Sequence, residues 1–180
     1  MLSFVLASLI FPSQAVAQPL PEQTIILNGE TLRYAIRIFP AGVNVIDPTA
    51  SLEPVSALAT AKLLNRFLTT GHIEDAALLS NSPRRRFEVL RDYKDSVGDD
   101  GFKEVFTQYF NPGNHLLAEV IMGSHSLLVW QLGEPKRIAG QYYVTVEGKV
   151  LMDDVPNEPR AHLRRVLEAI RSGRLPLPPQ

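Results

Sequence analysis

Between residues 115 and 152 the chain reverses direction three times on very short connections. "HLLAEVIM", "SLLVWQL", "RIAGQYYVTVE" and "KVLMD" are separated only by Gly123-Ser124-His125, Gly133-Glu134-Pro135 and Gly148. Parallel neighbours need a crossover of about a dozen residues or more, so segments this close must pair antiparallel. This predicts a four-stranded meander. In its third strand Tyr142, Val144 and Val146 alternate with Tyr143, Thr145 and Glu147. The expected inward face carries Tyr142, Val144 and Val146, with Tyr143 and Thr145 more exposed.

A further hairpin is expected in "TIILNGETLRYAIRIF", where Asn28-Gly29 tolerates the positive φ of a tight primed turn. Between the two β regions the hydrophobic period lengthens to that of helices. "SLEPVSALATAKLLNRFLTTG" has Pro54 near its start and Gly71 past its end, with Val55, Leu58, Ala59, Leu63 and Phe67 along one stripe that Leu64 and Leu68 widen. "IEDAALLSN" is a short second helix. A third follows Ser82 and Pro83, with Phe87, Leu90, Tyr93 and Val97 as its stripe. A fourth places Phe102, Val105, Phe106 and Tyr109 on one face. After the meander, "NEPRAHLRRVLEAIRSG" predicts a last helix with Leu163, Val166, Leu167 and Ile170 inward.

The first residues read as an export signal. An apolar run from Leu2 to Phe11 precedes Ala15-Val16-Ala17, which fits cleavage before Gln18. The run is too short to span a bilayer, and no later segment is long and apolar enough. The division is then a signal peptide over 1–17, a Pro-rich arm over 18–23, one α+β domain over 24–173 and a mobile tail over 174–180. A periplasmic or secreted location follows. The net charge of −1 argues against general attraction to nucleic acid. With no cysteine, the chain has no disulfide, thiolate nucleophile or Cys-rich zinc site.

No catalytic constellation is legible. His72, His115, His125 and His162 show no metal-ligand spacing, so no metal or cofactor is expected. Ser124 and His125 are neighbours, and in an extended segment their side chains diverge, which argues against a nucleophile–base pair. Asp153-Asp154 reads as a strand exit. Arg84, Arg85 and Arg86 open the third helix, where Arg84 can pair with Glu88 and Arg91 with Asp95. They are a solvated face or an anion or partner patch. Tyr109, Trp130 and Tyr142, with Met122, are expected in one interior region, as packed core or as the wall of a ligand pocket.

A helical block followed by long antiparallel strands, ending "AGQYYVTVEGKVLMDD", resembles the NTF2-like, cone-shaped α+β superfamily. Tyr142-Tyr143-Val144, the Gly148-Lys149 turn and Val150-Leu151-Met152 occupy the positions of its closing hairpin, and the similarity spans Leu52 to Asp154. It implies a curved antiparallel sheet packed on a helical block, an NTF2-like or cystatin-like cone. The N-terminal hairpin and the helix Pro159–Ser172 are additions. The Tyr/Asp acid–base set of the isomerase members has no match here. The resulting expectation is an exported soluble protein that binds a small apolar ligand or a protein partner without catalysis; a homodimer is left open. The alternative is a cone-pocket isomerase or hydrolase, with Asp92, Glu119 or His125 acting beside a tyrosine.

Overall fold

The computed structural model describes residues 20–47, 53–133 and 136–178. The expected signal peptide and the start of the expected Pro-rich arm lie outside these residues. The fold is α+β: a curved, six-stranded, wholly antiparallel sheet in the order β1-β2-β3-β4-β5-β6, with four helices. Strands β1 (Glu22–Leu27) and β2 (Glu30–Ile38) come first. Helices α1 (Ala57–Thr70), α2 (Ile73–Leu78) and α3 (Pro83–Tyr109) follow. Strands β3 (His115–Met122), β4 (His125–Leu132), β5 (Arg137–Val146) and β6 (Lys149–Met152) then precede α4 (Glu158–Arg171). Among the described residues no helix is long and apolar enough to cross a membrane.

The turns form as their residues dictate. Asn28 and Gly29 have φ of 55° and 82°, the primed geometry that matches strand twist, and Leu27 pairs with Glu30 across them. Ser56 caps α1 by accepting from Ala59 N at 3.1 Å, and Gly71 closes it at φ 79°. The stripe of α1 is rotated from the expected one. Val55 precedes the helix and is exposed, while Ala57, Thr60, Ala61, Leu64 and Leu68 are buried with Leu63.

The expected third and fourth helices are the two arms of α3. Gly98, at φ 75° and ψ 167°, breaks the helix between them. The Tyr93 ring lies 6.0 Å from Phe102 and 6.3 Å from Phe106. In an unbroken helix residues 93 and 106 would stand about 20 Å apart along the axis, so the chain folds back on itself. A positive φ at this sharp reversal suits glycine. Phe102 and Phe110 are buried by the return arm, whereas Val97, Val105 and Tyr109 sit at its edge.

Both faces of the sheet are covered, and this overturns the expected parity of β5. One cluster joins Leu116, Leu128, Trp130 and Tyr143 to the helices α1 to α3. The other joins Ala118, Val120, Leu127 and Val129 to Leu163, Val166 and Leu167 of α4, with Tyr142 and Ile138 packed against it. Tyr143 is fully buried, Tyr142 is half-buried and Val146 is exposed, against the expectation, whereas Val144 is buried and Thr145 exposed in agreement with it. A sheet with one wet face would bury only one parity. Here the added helix α4 takes the face of Tyr142, so the face against the 52–110 block is that of Tyr143. A register shift between Leu116 and Ala118 keeps Leu116 beside Trp130 on the α1–α3 side and Ala118 beside Val129 on the α4 side.

The edge strand β6 is short and covered. Met152 N donates to Leu79 O at 2.7 Å and Asn81 N to Met152 O at 3.0 Å, while Thr60 Oγ1 donates to Val150 O. Residues 174–178, expected to be mobile, bring Leu175 and Leu177 against the α4 cluster, and Leu175 N donates to Ala169 O.

Candidate functional site

Because β6 pairs only with residues 143–146 of β5, the first half of β5 runs past it as an edge. A groove opens there. Its inner part is a cavity of about 360 Å³ with an apolar floor of Leu64, Leu68, Leu90, Phe106, Phe110 and Met152. Most of the rest of its lining is polar or charged: Tyr109, Gln141, Tyr142, Arg86, Asp153, Asp154 and Arg160. A recess of about 430 Å³ continues outward from Tyr142, Asp154 and Arg160 to Arg85, Asn157 and Arg164. The inner volume falls within the range of small-molecule pockets, about 300–1,000 Å³.

Two aspartates hold the mouth together. Asp153 is 2% exposed, and its carboxylate accepts from Asn81 Nδ2 at 2.8 Å and Asn157 Nδ2 at 2.9 Å. Asp154 Oδ2 accepts from Ser80 Oγ at 2.7 Å, and its own N–H donates to Asn81 Oδ1. Arg86 Nε lies 3.0 Å from Asp154 Oδ2, but off the axis of an N–H···O bond, so the contact is ionic. Asn157 also caps α4 by accepting from Arg160 N at 2.8 Å. The exit of β6, the α2–α3 turn and the start of α4 thus meet at one buried polar knot. Spacing alone had suggested only a strand exit at Asp153-Asp154.

The aromatic set is divided by the sheet. Tyr109 and Tyr142 both line the inner cavity. Trp130 lies deep in the α1–α3 cluster, and Met122 packs in the α4 cluster. The four therefore do not share one interior region. The division follows from parity, because Trp130 and Tyr142 belong to opposite faces of paired strands. Tyr143 Oη donates to Gln141 Oε1 at 3.0 Å, and Tyr109 lines the same cavity as Gln141. Burial pushes both hydroxyls up from the ordinary tyrosine range. For Tyr109 the bond to Gln141 and the nearby Arg86 partly offset this. Tyr142 is also raised by burial, against the pull of Arg171, Arg164 and Arg160. The Arg160 guanidinium lies over the Tyr142 ring, 5.3 Å from its centroid.

The arginine triplet also splits. Arg84 is almost fully exposed and pairs with Glu88 at 3.2 Å, while Arg85 and Arg86 turn to the groove. Arg91 pairs with Asp92 rather than Asp95. Arg160 and Arg164 complete the basic side, and their repeat four residues apart is the signal that was legible in the sequence.

The residues of the enzyme reading lie elsewhere. Asp92 is exposed and held by Arg91. Glu119 and His125 line a separate pocket of about 210 Å³ with Arg37 and Ser126, and no tyrosine lines it. Burial raises the Glu119 carboxyl, and Arg37 at 2.9 Å and Ser126 partly offset this. Ser124 is in the turn rather than the strand, so its Oγ does reach His125, at 3.3 Å from Nδ1. His125 Nε2 is 3.8 Å from Asp153 Oδ2, too far for a hydrogen bond, and Asp153 is already taken by two asparagines. Among the described residues no group of acids and histidines could hold a metal ion. Compared with family models, curated proteins and solved structures, the chain matches none.

Proposed function

We propose that this chain is an exported protein of NTF2-like descent that binds a small apolar ligand in the β5-edge groove and performs no catalysis on it. The observation that carries the reading is the floor of the cavity. Six apolar side chains, together with tyrosines, a glutamine and charged groups, line a space of about 360 Å³ beside a strand edge. An apolar wall of this extent suits capture of a ligand whose body is desolvated. The polar groups do not favour chemistry. The Asp153 carboxylate and Asp154 Oδ2 are occupied as acceptors, and the Tyr143 hydroxyl donates to Gln141.

The test uses the neutral fluorophore N-phenyl-1-naphthylamine. Saturable binding with enhanced emission is expected. A Leu68→Trp variant, which fills the cavity, should lose that binding while keeping a cooperative thermal transition. Equal binding by wild type and variant would place the probe elsewhere and sink the proposal. Export is tested separately by N-terminal sequencing of material released from the cell, which should begin at Gln18.

A further inference from the structure

The outer half of the groove is not apolar, and the charges there do not cancel. The first turns of α3 and α4 converge on it, one bringing Arg85 and the other Arg160 and Arg164. Nearby arginines are engaged: Arg84 with Glu88, Arg86 with Asp154 and Arg171 with Glu168. Arg85, Arg160 and Arg164 have no carboxylate within ion-pair distance among the described residues. Of the two aspartates, Asp153 is taken by Asn81 and Asn157, and Asp154 turns Oδ2 to Ser80 and Arg86, which leaves one acidic group against three guanidinium groups in the recess. Arg160 is held over the Tyr142 ring at the boundary between cavity and recess, so one cation stands where a bound molecule would leave the apolar floor. A planar guanidinium offers paired N–H donors to a carboxylate, sulfate or phosphate.

We infer that the ligand is an amphiphile with an anionic head, its apolar body in the cavity and its head-group oxygens on Arg85, Arg160 and Arg164. This rests on the cavity being a ligand site and adds the chemistry of the ligand's polar end. The head could belong to a free carboxylic acid or to a phosphate ester, and the probes below distinguish the two.

Isothermal titration of the wild-type protein at low salt would compare octanoate, octyl phosphate and octan-1-ol, with inorganic phosphate alone as the fourth probe. At least one octyl anion should bind about tenfold tighter than the alcohol, the value of a single well-made charged hydrogen bond. The tighter of the two identifies the head. In Arg85→Gln/Arg164→Gln, two recess positions outside the inner cavity, that preference should largely disappear, while octan-1-ol binds as before and so reports an intact fold. Should the double variant not fold, Arg164→Gln alone, on an exposed position, should lower the preference about threefold. Arg84→Gln, outside the groove, should leave it unchanged. If octan-1-ol binds as tightly as both anions, the inference fails and the apolar site survives. If none of the octyl probes binds, the apolar site fails as well. Inorganic phosphate binding as tightly as octyl phosphate, or an equal loss in Arg84→Gln, would also overturn the inference.

Discussion

The two faces of the sheet are packed to different standards. On the α4 face the helix and the strands touch as closely as atoms allow. Gly140 of β5 lies under α4, where an added Cβ would come within 2.6 Å of Leu127 Cδ1 and 2.7 Å of Leu167 Cδ2. On the other face, α1 and the two arms of α3 leave a cavity and enclose buried polar groups, among them Thr60, Glu119 and the Tyr143 hydroxyl. A single helix with one apolar stripe can settle flat on a twisted sheet. Three helices joined by fixed caps and one glycine reversal cannot all do so, and the gap falls where β6 ends. The contrast teaches that a second, well-packed layer can supply stability while the first layer keeps an opening.

Core truncations should break or sharpen this contrast most. Leu163→Ala, on the dry face, should cost about 2–5 kcal/mol, since a fully buried side chain loses every contact into a closed surround. Leu68→Ala, on the cavity floor, should fall at the low end, about 2 kcal/mol, because one side of that leucine already meets a void. Denaturant midpoints would measure both. Equal losses would mean that the two faces are packed alike.

Gly140→Ala comes next, at about 1–3 kcal/mol of overpacking. The pressure falls on Leu167, so Gly140→Ala/Leu167→Ala should be more stable than the sum of the single effects allows. Strict additivity in a double-mutant cycle would show that the close approach of α4 has slack.

The smallest effect is one of pH. Burial holds the Glu119 carboxyl above the ordinary glutamate value, even with Arg37 beside it. The folded state therefore binds this proton more tightly than the unfolded state does. The associated stability is fully present below the ordinary value and is lost as pH rises through the raised one. Glu119→Gln removes the titration. It should be near neutral in acid and should gain on the wild type as pH rises towards neutrality, a trend readable in thermal midpoints. A difference that does not vary with pH would mean that Glu119 titrates as it would in water.

Much of this molecule could be read from local chemistry. The meander followed from connections too short for any other pairing, and the boundaries of α4 from Pro159 and Gly173. Both are decided within a few residues, where turn geometry and helix periodicity act. The parity of β5 could not be read that way. Tyr142-Tyr143-Val144 is apolar enough for either face, and only the presence of α4 on one side decides which tyrosine meets the helical block. The split of the arginine triplet has the same origin, because Arg84 and Arg86 differ only in which way the helix turns them once it has docked.

The sequence by itself determined the α+β class, the antiparallel order of the second half, the amphipathic stripe of α4, and the exclusion of disulfides and thiol chemistry. These depend on residue identity, spacing and backbone preference alone. Only the tertiary structure decided that Gly98 folds α3 back on itself, that Asp153 and Asp154 join three segments, and that Arg85, Arg160 and Arg164 face one groove with Tyr142. Each brings together residues far apart in the chain, and their proximity is set by how whole helices pack on a twisted sheet, which no local pattern encodes.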